Sequence, residues 1–202
     1  MIEVFADVLC PFTHVGLRRL VDRRRALGFH NLLRVRAWPL ELVNGEPVAA
    51  GLVAEEVEEL RDQVAPDLFA GFDATQFPTT SLPAFTLVDV AYRRSTQLGE
   101  RVSLALRAAL FEEGRDIGSA DVLDDIATAH GLDPFVGVDR AAILADWKEG
   151  RGRGVQGSPH FFVDDEGFFC PGLEIARVGD QLQISSDPVR FEAFMSRAFA
   201  AA

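Results

Sequence analysis

The chain carries only two cysteines, Cys10 and Cys170, among 202 residues. A chain of this length buries roughly 70% of the surface its unfolded state exposes, so it needs no disulfide staples. Cationic excess is also missing. The net charge is −11 and the pI is near 4.8, which argues against general binding to nucleic acid or to anionic membranes. No apolar run approaches the ~18 residues that a membrane span needs. Met1 leads straight into a strand-like run, with no basic leader or cleavage site. Internal repeats and low-complexity segments are absent. Hydrophobic content of 48% with 25% charged residues is ordinary for a soluble globular protein. Few cysteines without an export signal predict a reduced, cytoplasmic setting, where a thiol is reactive rather than bridged.

The stretch Val4-Phe5-Ala6-Asp7-Val8-Leu9-Cys10-Pro11-Phe12-Thr13-His14 is the most informative. An apolar run over residues 2–9 reads as a buried strand. It breaks at a cysteine followed by proline, which suits a first helical turn because its missing N–H costs nothing there. Phe12, Val15, Leu20 and Leu27 then mark a helix face, and Gly28 is a plausible stop. A cysteine at a helix N-terminus meets unpaired N–H groups and the positive end of the macrodipole. Such a position lowers a thiol pKa from about 8.5 into the range of roughly 3.5–7.5. Cys10 is thus the candidate nucleophile.

Leu32 to Trp38 reads as a second strand, completing a parallel β-α-β unit. From Gly51 to Glu149 the pattern is helical. Five helices are predicted: over 52–64, 83–97, 99–113, 119–131 with Ser119 as cap, and 140–148. A glycine-rich stretch, Gly150 to Pro159, leads into the strand His160-Phe161-Phe162-Val163. Asp164-Asp165-Glu166-Gly167 is a hairpin signal, and Phe168-Phe169-Cys170 returns as its partner strand. Asp187 and Pro188 open a last helix. The predicted division is a β-α-β … β-β-α domain over 1–50 and 151–202, interrupted by an all-helical subdomain over 51–150.

Cys10-Pro11-Phe12-Thr13 at a strand-to-helix junction, with Gly154-Val155-Gln156-Gly157-Ser158-Pro159-His160-Phe161-Phe162-Val163 far downstream, resembles the DsbA-like family of thioredoxin folds. The resemblance spans nearly the whole chain and implies an α/β, thioredoxin-like fold with an all-helical insertion. It implies a cis-proline at Pro159 lying against Cys10, and a Ser158 whose backbone meets a bound peptide or thiol. Pro11 and Phe12 would flank the same site. Redox members of the family carry Cys-x-x-Cys, whereas the fourth position here is Thr13. Threonine cannot attack sulfur, but its hydroxyl can support a Cys10 thiolate. The activity implied is therefore thiol–disulfide oxidoreduction by a single cysteine, its mixed disulfide resolved by glutathione, another small thiol or a disulfide-bearing partner. The arrangement also resembles kappa-class glutathione transferases and 2-hydroxychromene-2-carboxylate isomerases, which bind glutathione and use serine where Cys10 stands. A non-catalytic binding module is the third alternative. No tightly bound cofactor or metal is implied, and a homodimer is admissible.

His14, one turn beyond Cys10, is a candidate base or cationic neighbour for the thiol; the alternative is a packed imidazole. His160 follows Pro159, with a side chain expected to point away, and a Cys10-His14-His160 metal site is disfavoured. Arg151 and Arg153 either hold the carboxylate of a small thiol or lie in a solvated loop. With a turn centred on Asp165-Glu166, Cys170 would face Phe161 and approach Cys10. Two strand spacings of ~4.8 Å still exceed the ~7 Å limit for a bridge, so Cys170 reads as an inert thiol. Glu55-Glu56-Val57-Glu58-Glu59 reads as a solvated helix face, and Trp38 as core.

Overall fold

A computed structural model describes residues 1–179 and 181–200. In chain order the elements are β1 (Ile2–Ala6), α1 (Pro11–Ala26), β2 (Leu33–Ala37), α2 (Leu40–Asn44), α3 (Ala50–Gln63), α4 (Leu82–Arg94), α5 (Thr96–Phe111), α6 (Ala120–Ala129), α7 (Arg140–Gly152), β3 (His160–Val163), β4 (Glu166–Phe169), β5 (Leu173–Val178), β6 (Gln181–Ser186) and α8 (Pro188–Ala198). Four strands form one sheet in the order β2-β1-β3-β4, with β1 parallel to β2 and the other pairs antiparallel. This is the α/β, thioredoxin-like arrangement, with helices α3–α7 between its two strand-bearing segments.

Strand alternation assigns the two faces. The register Val4↔Phe161 and Phe5↔His160 puts Val4 and Phe161 on one side, Phe5 and Phe162 on the other. Phe161 packs against Phe194 of α8 and beside Gly16 of α1. Phe5 and Phe162 cluster with Trp38 under α7, where Gly150 lies so close that a Cβ would sit 2.7 Å from the Trp38 ring. The free edge of β2 is covered rather than exposed. Tyr92 of α4 donates its hydroxyl to Leu33 O at 3.0 Å and accepts from Val35 N at 2.8 Å. Glu100 of α5 accepts from Leu33 N at 2.7 Å. Side chains here do the work of a missing strand.

Several sequence expectations shift. β1 stops at Ala6, because Asp7 bends the chain instead of extending it. The helix expected over 83–97 ends at Arg94, and Ser95, extended at φ −167°, caps α5 by accepting from Leu98 N. α7 runs four residues beyond the predicted 148, so part of the glycine-rich stretch is helical. The β3–β4 turn sits on Asp164-Asp165, with Asp164 in left-handed backbone at φ 54°. Aspartate tolerates that region, so glycine was not required in the turn. Phe161 therefore faces Phe168, and Cys170 lies just past β4. The β5–β6 hairpin, a separate two-stranded sheet, was not anticipated, nor was α2.

Candidate active site

The turn between β1 and α1 is organised by Asp7. Its carboxylate accepts from Leu9 N at 2.9 Å and from Leu40 N, and its carbonyl accepts from Cys10 N at 3.4 Å. Cys10 is the N-cap of α1, extended at φ −84° and ψ 116°, with Pro11 entering the helix after it. The other half of the site is the Ser158–Pro159 peptide bond, which is cis. The Cys10 Sγ donates to Ser158 O at 3.2 Å. Ser158 Oγ in turn accepts from Asp7 N at 2.8 Å and lies 2.8 Å from Thr13 Oγ1. Cys10, Thr13, Ser158 and Asp7 thus form one hydrogen-bonded unit joining the two distant segments.

The forces on the thiol oppose each other. Burial pushes its pKa up; the Ser158 and Thr13 side chains and the Thr13 amide pull it down; the Glu56 carboxylate pushes it up again, and the net direction is upward. Cys10 is only 4% exposed, and its S–H bond to a carbonyl is one that only the protonated form can make. The expected lowering by the helix terminus is therefore overridden, and the resting state is the thiol. A buried guanidinium reaches the same turn through Asp7. Arg107 donates to Asp7 O at 3.1 Å, to Ser103 O at 3.1 Å and to Ser103 Oγ at 2.7 Å. Burial lowers its pKa to about 10, against the pull of Asp7, Cys10 and Tyr92. It stays cationic at neutral pH. Asp7 is pushed up to about 6 by burial, while the Leu9 and Leu40 amides and Arg107 hold it down.

Cys10 opens on a groove of about 400 Å³ between α1, the α2–α3 region and the β4–β5 link. Pro11, Phe12, Leu52 and Ile175 supply apolar wall; Ser158, Asn44 and Glu56 supply polar points. Burial and the neighbouring Glu55 raise the Glu56 carboxyl to about 7, with Arg177 acting the other way.

The model of the DSBA-like thioredoxin domain matches residues 1–183. The chain belongs to this family. Solved structures share the fold. A probable DsbA oxidoreductase from Streptomyces coelicolor has TM-score 0.67 and 19% identity over 100% of this chain and 90% of its own. The cytosolic disulfide reductase DsbM of Pseudomonas aeruginosa has TM-score 0.63 and 18% identity over 98% and 96%. A 2-hydroxychromene-2-carboxylate isomerase has TM-score 0.61 and 15% identity over 83% and 87%. By sequence, no curated protein matches the chain.

The structure brings Cys10, Pro11, Phe12, Thr13, Ser158 and Pro159 together and places His14, Arg151 and Arg153 elsewhere. His14 shares the first turn of α1 but turns inward, 1% exposed, stacked on Phe111 at 5.2 Å and edge-on to Phe69 at 5.4 Å. Its Nε2 lies 3.1 Å from Glu112 Oε1, out of line for a hydrogen bond. Burial, with Arg107 and Arg18, depresses its pKa to about 3. A neutral imidazole facing α5 is neither base nor cation for Cys10. Arg153 lies on the α7 face of the sheet, paired with Glu3 at 2.8 Å and stacked 4.0 Å over Phe162. Arg151 stacks over Trp147 at 5.0 Å. Neither lines the groove. His160 stacks on Phe162 at 4.7 Å on that same far face, so the imagined three-residue metal site does not assemble. Cys170 reaches the groove rim from beside Pro159, whose carbonyl accepts its amide at 3.0 Å. Burial and the Cys10 charge push its thiol up to about 12, with Arg190 opposing. Three residues of this DSBA-like site escaped sequence reasoning. Asp7 was counted as strand, Arg107 sits within an amphipathic helix, and Glu56 was grouped with a solvated acidic run.

Proposed function

We propose that this DSBA-like chain is a monothiol–disulfide exchange enzyme that acts through Cys10. The observation that carries the reading is the Cys10 Sγ 3.2 Å from Ser158 O, at the rim of a groove, with Thr13 where a resolving thiol would stand. Cys10 loses its proton and attacks one sulfur of a disulfide. A mixed disulfide forms, the old sulfur–sulfur bond breaks, and the departing sulfur leaves as a thiol. A second thiol then attacks the mixed disulfide and restores Cys10. Thr13 and Ser158 support the thiolate during attack, and the Arg107 cation lies behind it.

Glutathione fits this scheme as the resolving reactant rather than as a resident cofactor. No lysine, arginine or histidine is among the described residues lining the groove, so its carboxylates would find no cation there. A reducing, cytoplasmic setting, with the two free cysteines, suits such a cycle. The test is glutathione-dependent reduction of 2-hydroxyethyl disulfide by the wild type, Cys10→Ser and Cys170→Ser. Wild type and Cys170→Ser turn over, and Cys10→Ser falls to background. Equal turnover by Cys10→Ser overturns the proposal.

A further inference from the structure

We infer that Glu56 takes the proton that Cys10 gives up and returns it to the departing sulfur, making it the proton-transfer residue of the site. The inference rests on the exchange reading above and assigns it one more group. Helix α3 buries Val53, Val57 and Leu60, and Glu56 lies along that inner side, lining the groove with Cys10 and Ser158. Its acidic neighbours are otherwise engaged. Glu55 pairs with Arg177 at 3.1 Å, Glu59 accepts from Gln63, and Glu58 is exposed. Among the described residues Glu56 makes no hydrogen bond or ion pair. A half-buried carboxyl without a partner is costly to keep ionised, consistent with its titration near pH 7. That value suits a group that both accepts and donates at neutral pH.

Cys10 and Glu56 also oppose each other electrostatically, since the Glu56 charge pushes the thiol up. Two negative charges in one groove are disfavoured; one charge shared over the pair is not. The other charged or titratable groups facing Glu56 are Glu55, Arg177 and, across the groove, Cys170. In the step itself, the Cys10 S–H proton passes to the Glu56 carboxylate through groove solvent. The thiolate attacks one sulfur of R–S–S–R′, the bond from Cys10 to that sulfur forms, and the S–S bond breaks. Its electron pair leaves on R′S⁻, which takes the proton from Glu56. The sum is Cys10–SH plus RSSR′ giving Cys10–S–SR plus R′SH; the disulfide is the oxidant.

Proton return matters most when the leaving thiolate is basic. The test compares second-order rates of Cys10 at pH 7 with 2-hydroxyethyl disulfide, 2,2′-dithiodipyridine and iodoacetamide, in wild type, Glu56→Gln and Glu56→Asp. The first has a basic leaving group; the other two do not. Glu56→Gln is expected to slow the alkyl disulfide on the order of 100-fold, while the other two rates hold or rise, because the thiolate forms in a fast pre-equilibrium that loss of the Glu56 charge favours and only proton return to a basic leaving group is lost; Glu56→Asp recovers part of the loss. Equal losses with all three reagents, or no loss with the alkyl disulfide, overturn the inference. A wild type that iodoacetamide alkylates but no disulfide modifies overturns the exchange reading as well, so the two failures are distinct.

Discussion

Cys10 and His14 are one helical turn apart and fare differently because of what surrounds them. Cys10 faces a groove and the Ser158 carbonyl; His14 faces two phenylalanines of the interior. The histidine's pKa is about 3 against an ordinary 6.5. A folded value below the unfolded one means the fold favours the neutral ring. That contribution is whole above pH 6.5 and is lost as pH falls toward 3. His14→Gln does not titrate, so the stability gap between wild type and this variant should shrink by about 3 kcal/mol between pH 7 and pH 4. Urea unfolding at the two pH values checks this; a gap independent of pH contradicts the packing assigned to His14. At this scale the sequence showed which residue types mattered but not their directions. The spacing of Cys10 and His14 placed both on α1, while only tertiary contact decided that the ring turns to Phe69. Arg153 failed for a related reason, since strand alternation puts its partners Glu3 and Phe162 on the face away from Cys10.

Among elements, long amphipathic helices and the β-α-β unit were legible because their periodicity is carried by many residues. Boundaries were less so. The α4–α5 break was predicted between Gln97 and Gly99. In the structure Ser95 makes the break, and Gly99 lies inside α5 because a Cβ there would sit 2.2 Å from the Tyr92 ring. Close helix approach, not chain reversal, selects that glycine. Gly99→Ala should therefore destabilise by about 1–3 kcal/mol through overpacking against Tyr92, although alanine is the better helix former. A denaturation midpoint equal to or above wild type would refute that account. Gly167 has the same logic. It was assigned to the hairpin turn, but a Cβ there would lie 2.8 Å from His160 Nε2, so it serves strand packing. That misassignment moved Cys170 two residues in register. The β5–β6 hairpin went unread because its strands are mostly exposed and offer no continuous buried run.

Across the whole molecule, function arises where segments far apart in sequence converge. The turn after β1, the loop before β3 and the inner side of α3 each bring one part: a thiol, an acceptor carbonyl and a free carboxyl. The first two were visible as motifs, each a short pattern at a predicted element boundary. The third was invisible, because an acidic run looks solvated until a partner surface closes over it. The protein's net charge of −11 adds a uniform bias against anionic substrates that the groove, with its apolar wall and one carboxyl among its described lining residues, does not offset. The most direct test of a lone working sulfur is the intact mass of wild-type protein after exposure to 2-hydroxyethyl disulfide, followed by glutathione. The account predicts one mercaptoethanol adduct, located on Cys10 and removed by the thiol. A loss of two hydrogens instead, marking a bond between Cys10 and Cys170, or no change in mass at all, would contradict it.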